Sequence, residues 1–369
     1  MTARRERATA FAPASVGNVA VGFDILGHTV AALGDHVTVT RREAPGVSIR
    51  AIRGVVEDLP LAAERNTAGM AVLAMQRALG LPHGFELEVV KGIPLGSGLG
   101  GSAASAVAAV VAAAALVEEP LDKTRLLQFA MQGEEVASGS VHVDNIAPSL
   151  FGGLVLTVGV DNPHVKQIPV PETVRCVLVH PHVVLATREA RAILGKTITL
   201  SDSIWQQANL AGFLAGCFTS DVPLIRESLL DVIIEPQRQV LIPGFKAVKQ
   251  AALDARALGC SISGAGPTVF AWAEEQDAER VRAGMVAAFK AHGLDSDSWV
   301  SAIDRQGARV VDGCCASRAR ATRRTPPDSA KRSLAAWPRT AACTCRRRCR
   351  LPTSQRLPRP ATCRRSPSA

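Results

Sequence analysis

Residues 91–105 read KGIPLGSGLGGSAAS, which sets glycines at 92, 96, 98, 100 and 101 directly against an alanine-rich apolar run. A strand-like segment, FELEVVKG, precedes them, so the order is strand, glycine loop, helix start. That order presents several backbone N–H groups and the positive end of a helix dipole to an anion. Glycine lets the main chain approach phosphate oxygens because no Cβ intervenes. Phosphate binding is the chemistry this stretch implies. Two generic fingerprints compete to describe it. Gly96, Gly98 and Gly101 satisfy G-x-G-x-x-G, and Glu118 lies near the distance of a ribose-binding acid. In a dinucleotide fold, however, that acid ends a second strand, whereas Glu118 ends a helix. ARAILGKT (190–197) imitates a P-loop, but Ala190 replaces its first glycine and a helix-like segment precedes it.

The elements that must position the loop follow from hydrophobic periodicity. HVTVTRR, VSIRAI, FELEVV, GGLVLTVGV, RCVLVHP and TVFAWA read as strands. TAGMAVLAMQRAL, KTRLLQFAMQGEEVA, FKAVKQAALDARAL and DAERVRAGMVAAFKAH read as helices. The sum is an α/β or α+β protein without internal repeats. The apolar run from Ala103 to Val117 is shorter than the roughly 20 residues that span a bilayer, so it reads as a buried helix. A proline-containing loop, DNPHVKQIPVPET (161–173), is the best boundary between two halves.

Pro94 to Ser105, PLGSGLGGSAAS, resembles the P-x-x-x-G-L-G-S-S-A signature of the GHMP kinases, the small-molecule kinase superfamily named for galactokinase, homoserine kinase, mevalonate kinase and phosphomevalonate kinase. Gly101 departs from it, standing where the first serine is usual. Further segments resemble the homoserine kinase branch in the same order: APASVGNVAVGFDILG (12–27), RNTAGMA (65–71), GEEVASGSVHVDNIAPSLFGG (133–153), TREAR (187–191), IEPQRQVLIPG (234–244) and SISGAGPTVFA (261–271). The resemblance runs from about Ala8 to Gly313. It implies an α+β, two-domain GHMP kinase fold with the active site in the cleft between the domains. The N-terminal domain (1–160) would be a ribosomal-S5-domain-2-like α/β unit that binds ATP, and the C-terminal one (161–313) a ferredoxin-like α+β unit.

The implied reaction is ATP-dependent phosphorylation of the L-homoserine hydroxyl with Mg²⁺, giving O-phospho-L-homoserine on the route to threonine. Nucleotide would meet Asn66, the loop residues Pro94, Leu95, Gly96, Ser97, Gly98, Leu99, Gly100, Gly101, Ser102, Ala103 and Ala104, and the second glycine turn at Gly264 and Gly266. Asn66 could equally be only a helix cap. Ser102 and Glu134 would hold the metal; a shift of one residue would substitute Glu135, but the spacing to Asp144 and Asn145 favours Glu134. Homoserine carries an ammonium, a carboxylate and a hydroxyl. Arg191 and Arg238, with Thr187, match the carboxylate-binding positions, and a guanidinium fork suits that group. Asp144 and Asn145 would hold the ammonium and nearby polar atoms, with Asn18 and Asp24 beside the reacting hydroxyl. Asp24, Asn145, Ser102 and Glu134 are thus the candidate catalytic residues. His142 invites a general-base role, but a hydrogen-bonded structural histidine is the favoured reading.

Charge narrows the alternatives. The net +9 sits in the tail: residues 314–369 hold 14 Arg and one Lys against Asp328, a balance of +14 that leaves −5 for the first 313 residues. A nucleic-acid partner for the folded body is therefore not expected, nor is a membrane. The body keeps only Cys176, Cys217 and Cys260, in apolar contexts, as in reduced cytoplasmic proteins. The tail holds the other six cysteines and lacks apolar periodicity, so it reads as disordered, the product of a shifted reading frame. A basic nucleic-acid-binding arm and a cysteine metal site are lesser readings, and deleting 314–369 is expected to leave activity intact. A kinase for mevalonate, a sugar or a diphosphocytidyl substrate would share the loop without needing both arginines. A non-catalytic relative would have lost Ser102 or Glu134. A homodimer is left open.

Overall fold

A computed structural model describes residues 5–138, 141–159 and 163–311. The elements of the first half are β1 (Arg7–Gly17), β2 (Leu26–Arg42), β3 (Val47–Gly54), α1 (Thr67–Ala78), β4 (Gly84–Lys91), α2 (Gly101–Ala114), α3 (Lys123–Ser138), α4 (Val143–Phe151), β5 (Leu154–Val158) and β6 (His164–Ile168). Those of the second are β7 (Val174–Pro181), α5 (Thr187–Ala192), α6 (Leu200–Thr219), α7 (Val222–Ser228), α8 (Glu235–Arg238), α9 (Phe245–Asp254), β8 (Gly259–Ile262), β9 (Val269–Glu274), α10 (Glu275–Ala291), β10 (Ser296–Ser301) and β11 (Arg309–Val310).

Two sheets organise them. The first runs β11-β1-β2-β4-β3, with β5 on β2 and β6 on β5; the second runs β10-β7-β9-β8. β2 is long enough to serve two partners: Leu26–His28 pair with β5, while His36–Arg42 pair with β4. Pro13 does not end β1. It sits where the β1–β2 register shifts, and a bulge tolerates a residue that cannot donate to the ladder. β6 lies inside the segment read as a proline loop, and β11 brings the far end of the described chain back to β1.

Burial explains the largely apolar strands RCVLVHP and TVFAWA. Alternate residues of β7 and β9 point to opposite faces. Cys176, Leu178, Phe270 and Trp272 join the core that continues to β1, β2 and α2. Val177, Val179, Val269, Ala271 and Ala273 pack beneath α9 and α10. α2 is buried along most of its length, as expected of a helix with no polar face. Trp272 Nε1 donates to His28 Nε2 at 3.0 Å, tying β9 to β2. α6, capped at its start by Thr199, was not legible in the sequence. Among the described residues no helix is long and apolar enough to cross a membrane. The basic tail lies outside the described residues.

Candidate active site

The glycine loop ends in the helix that the strand–loop–helix order requires. Gly96, Gly98 and Gly100 have φ of 63°, 76° and 65°, a region that costs other residues about 1–2 kcal/mol. Two of them also lack room for a side chain. A Cβ on Gly98 would stand 2.5 Å from the Ser263 carbonyl oxygen, and one on Gly100 would stand 2.2 Å from Ser15 Oγ. Gly100 forms the N-cap of α2 without any side-chain cap, so the first-turn N–H groups face the loop's concavity. Ser97 Oγ donates to the Pro94 carbonyl at 2.7 Å, and Ser263 Oγ donates to the Gly98 carbonyl at 2.7 Å. The second glycine turn thus lies against the first.

A cleft of about 620 Å³ opens over this loop. Its walls include Pro94, Leu95, Gly96, Ser97, Gly98, Gly100, Gly101 and Ser102 from the loop, and Asn18, Asp24, Asn66, Glu134, Asp144, Asn145, Thr187, Arg191, Arg238 and Gly264 from elsewhere. Leu99, Ala103 and Ala104 are instead fully buried beneath it. The Ala104 amide is engaged by the Gly100 carbonyl, and Gly266 packs against Ile242 and Ile262. These four support the loop from behind.

Ser102 Oγ donates to Glu134 Oε1 at 2.9 Å. Glu134 is buried and Glu135 exposed, because one residue along α3 turns the side chain away from α2. His142, the residue preceding α4, places its Nδ1 3.4 Å from Glu134 Oε1. That carboxylate raises the imidazole pKa against the opposing effect of burial. The proton is thereby favoured on His142, which suits a hydrogen-bonded histidine better than a base with a free lone pair.

Asp144 lies in the first turn of α4 and is buried; desolvation first, then the negative charge of Asp24, pushes its pKa up to about 6. Its Oδ2 accepts from the Asn18 amide at 3.2 Å, and its Oδ1 accepts from Asn145 Nδ2 at 3.3 Å. Asn145 Oδ1 accepts from Ser15 Oγ at 2.9 Å. Asn18, Val19, Ala20 and Asp24 all have positive φ, including 43° at Val19, where a β-branched residue is a clear outlier. Asn18 is held by three bonds: its amide to Asp144, its Nδ2 to the Gly264 carbonyl at 2.9 Å, and its Oδ1 accepting from the Asp24 amide at 3.0 Å. Strain maintained by such surroundings is a mark of functional segments.

Across the cleft, Arg191 Nη2 donates to both oxygens of Asp24, at 2.8 and 2.9 Å. Arg238 is buried, which excludes a surface ion pair; its Nε donates to the Ala190 carbonyl and its Nη1 to the Gly264 carbonyl, each at 2.9 Å. Burial and the neighbouring Arg191 push its pKa below the ordinary guanidinium value. Both guanidiniums flank the Phe23 ring, at 5.3 and 5.1 Å. Thr187 is the first residue of α5 and is exposed at the rim. Asn66 caps α1, its Oδ1 accepting from the amides of Ala68 at 3.0 Å and Gly69 at 3.4 Å. ARAILGKT straddles the end of α5 with no strand before it, and Glu118 follows α2 with no intervening strand.

Sequence reasoning missed the network beneath the loop. Lys91 Nζ bonds Asp35 Oδ2 and donates to the Gly101 carbonyl at 2.7 Å and Ser105 Oγ at 2.8 Å. Asp35 Oδ1 accepts from the Gly92 amide at 2.9 Å. This buried pair clamps the first residue of α2 to the end of β4. A lysine closing an apolar strand just before the glycines was the available signal. Asp35 had none, being 56 positions away.

The chain is similar to known proteins over the span that forms these elements. The GHMP kinases N terminal domain matches residues 66–153, and the GHMP kinases C terminal domain matches 213–291. A homoserine kinase of Xylella fastidiosa strain M12 is 54% identical over 306 residues, 83% of this chain and 94% of that one. One from Xanthomonas campestris pv. campestris strain B100 is 53% identical over 305 residues, covering 82% and 94%. The crystal structure of a homoserine kinase from Cytophaga hutchinsonii superposes with a TM-score of 0.81 at 44% identity, covering 84% of this chain and 99% of that one. With both domains matched and such identity along nearly the full length of its relatives, the chain belongs to the homoserine kinase family of the GHMP kinases.

Proposed function

We propose that the protein transfers the γ-phosphoryl group of ATP to the hydroxyl of L-homoserine, releasing O-phospho-L-homoserine and ADP. One observation carries this reading: an uncapped helix start behind a glycine loop shares a single cleft with two guanidiniums and the Asp144–Asn145 pair. The first suits a triphosphate, and the other groups suit the two ends of an amino acid. Family membership supports the same substrate.

The substrate carboxylate lies between Arg191 and Arg238, with Thr187 at its edge. Arg238 is preset, since two backbone carbonyls fix its plane while its Nη2 has no protein partner among the described residues. Arg191 must exchange partners. Its bidentate hold on Asp24 competes with the incoming carboxylate, so binding frees Asp24 as the hydroxyl arrives. Asp144 and Asn145 receive the ammonium. Asn18, already bonded to the Asp24 amide, keeps Asp24 beside the hydroxyl. The hydroxyl oxygen attacks the γ-phosphorus in line. The new O–P bond forms as the bond to the β,γ-bridging oxygen breaks, and Asp24 takes the hydroxyl proton late. Positioning and charge stabilisation do most of this work, so a strong base is not required.

Magnesium fits the residues present. Ser102 Oγ and Glu134 Oε1 are hard oxygen donors 2.9 Å apart on the loop side of the cleft, and a carboxylate with a hydroxyl is the usual protein share when phosphates and waters complete the shell. When bound, the ion would neutralise charge on the phosphate oxygens. Nucleotide would lie between the loop and the Asn66 side of the cleft.

A coupled assay of ADP release with MgATP tests the proposal. Turnover with L-homoserine, and none with mevalonate, is the expected result. Absence of homoserine-dependent ADP release, or equal turnover of mevalonate, would overturn it.

A further inference from the structure

α6 reaches the cleft from behind. Gln206 is half-buried on this helix, and both ends of its side-chain amide are engaged: Oε1 accepts from the Val232 amide at 2.9 Å, and Nε2 donates to the Val21 carbonyl at 3.2 Å. Asn209 lies three residues further on, hence on the same face, and its Nδ2 donates to the Leu230 carbonyl at 2.8 Å. The backbone these two side chains grip leads straight into α8. Asp231 is buried; its Oδ1 accepts from the amides of Ile233 and Ile234, each at 2.9 Å, and its Oδ2 accepts from that of Glu235 at 2.8 Å. Glu235 begins α8 and bonds Lys249 of α9, and Arg238 ends α8. A single helical turn is not stable alone, so these side chains set the direction in which Arg238 points. Val21, the second partner of Gln206, sits in the strained segment, between the positive-φ residues Asn18, Val19 and Ala20 and the positive-φ Asp24.

We propose that Gln206 is a positioning residue of the amino-acid site, holding the segment that carries Asp24 in register with the segment that carries Arg238. The inference rests on the function proposed above. In that reaction the substrate carboxylate takes Arg191 away from Asp24, and the direct tie across the cleft is lost. The Gln206 bridge does not involve Arg191 and survives the exchange. Asp24 therefore stays beside the hydroxyl while Arg238 holds the carboxylate, and the distance between the two ends of the substrate is matched by one side chain on a long helix. A neutral amide suits this place, because it offers a donor and an acceptor together and adds no charge near Arg191, Arg238 or Asp24. Neither methionine nor glutamate can replace it. Methionine has the length but makes neither bond, and a glutamate carboxylate would keep the bond from Val232 while setting an oxygen against the Val21 carbonyl.

Steady-state kinetics of the full-length protein, with hydrogen exchange alongside, test this. In Gln206→Met, kcat/KM for L-homoserine is expected to fall roughly 30-fold while KM for ATP stays within about twofold of wild type. Gln206→Glu should lose most of the same activity. A merely structural residue would move both KM values together with Tm. Wild-type kinetics in either variant, or an equal rise in both KM values, would overturn the proposal. Exchange reads the bridge without any substrate: in Gln206→Met the peptides covering 18–25 and 230–235 should both exchange at least about fivefold faster. Acceleration of one peptide alone, or of neither, would show that Gln206 does not join the two segments. Should neither variant fold, the wild type decides, since the Val232 amide must be protected by Gln206, and rapid exchange there sinks the bridge. A wild type without homoserine turnover would instead defeat the proposed function, and the exchange result would still stand for or against the bridge.

Discussion

Asp144 shows how one residue's surroundings trade stability against chemistry. Burial and the Asp24 charge raise its pKa from 3.8 to about 6. The folded state therefore binds this proton more tightly than the unfolded chain. Its contribution to stability is complete below 3.8 and is lost as pH rises through about 6. The form that pairs with an ammonium is the ionised one, present above that range. In the proposed reaction kcat/KM for L-homoserine should fall as pH drops through about 6, and Asp144→Asn should remove that limb while raising KM. A profile flat between pH 5 and 7 would count against an ammonium contact. Glu134→Gln keeps the shape of the Ser102 contact but removes the carboxylate charge. It should lower kcat roughly 100-fold or more with little change in Tm, and a fully active variant would remove Glu134 from the metal site.

At the scale of elements, the loop depends on what lies behind it. Gly98 has no space for a Cβ against Ser263 and Gly266, and its φ is left-handed. Gly98→Ala must move one of two backbones, so a rise of at least about tenfold in KM for ATP is expected, the equivalent of more than 1 kcal/mol. An unchanged KM would mean that the loop can reshape freely. The Lys91–Asp35 pair fixes the junction of β4 and α2 in a buried setting. Lys91→Met leaves the Asp35 carboxylate without its cation, which should cost about 3–5 kcal/mol in urea denaturation. The glycines of this junction were legible because an N-terminal phosphate cradle is a local pattern. The aspartate that anchors it was not, because it comes from the middle of β2, 56 positions earlier in the chain.

At the scale of the molecule, His28 and Trp272 join β2 of one sheet to β9 of the other. Trp272 Nε1 donates to Nε2, and Nδ1 donates to the Thr29 carbonyl at 2.9 Å, so the neutral tautomer is set by its two partners. Burial pushes the His28 pKa down to about 4. Because the folded pKa lies below the unfolded one, this stability is present above 6.5 and is lost as pH falls to about 4, amounting to about 3 kcal/mol. Asp144 titrates in the opposite sense over an overlapping range. Urea denaturation against pH in an Asp144→Asn background should isolate the His28 transition. A stability curve without a step between 6.5 and 4 would contradict its neutral burial.

Local patterns in the chain determined the strand–loop–helix cradle, the burial of the alanine-rich helix and the strand character of RCVLVHP and TVFAWA, because periodicity and glycine placement act over a few residues. Its ordered motifs also named most of the polar residues that now line one cleft, while Leu99, Ala103, Ala104 and Gly266, named with them, lie beneath the loop. Only the tertiary structure decided that Pro13 sits at a bulge inside β1, that β6 and β11 complete the first sheet, and that Arg191 holds Asp24 across 167 positions. α6 escaped sequence reading for a related reason. A helix whose single charge, Asp202, lies in its first turn has no charged face to set its period, and which side it buries depends on what packs there.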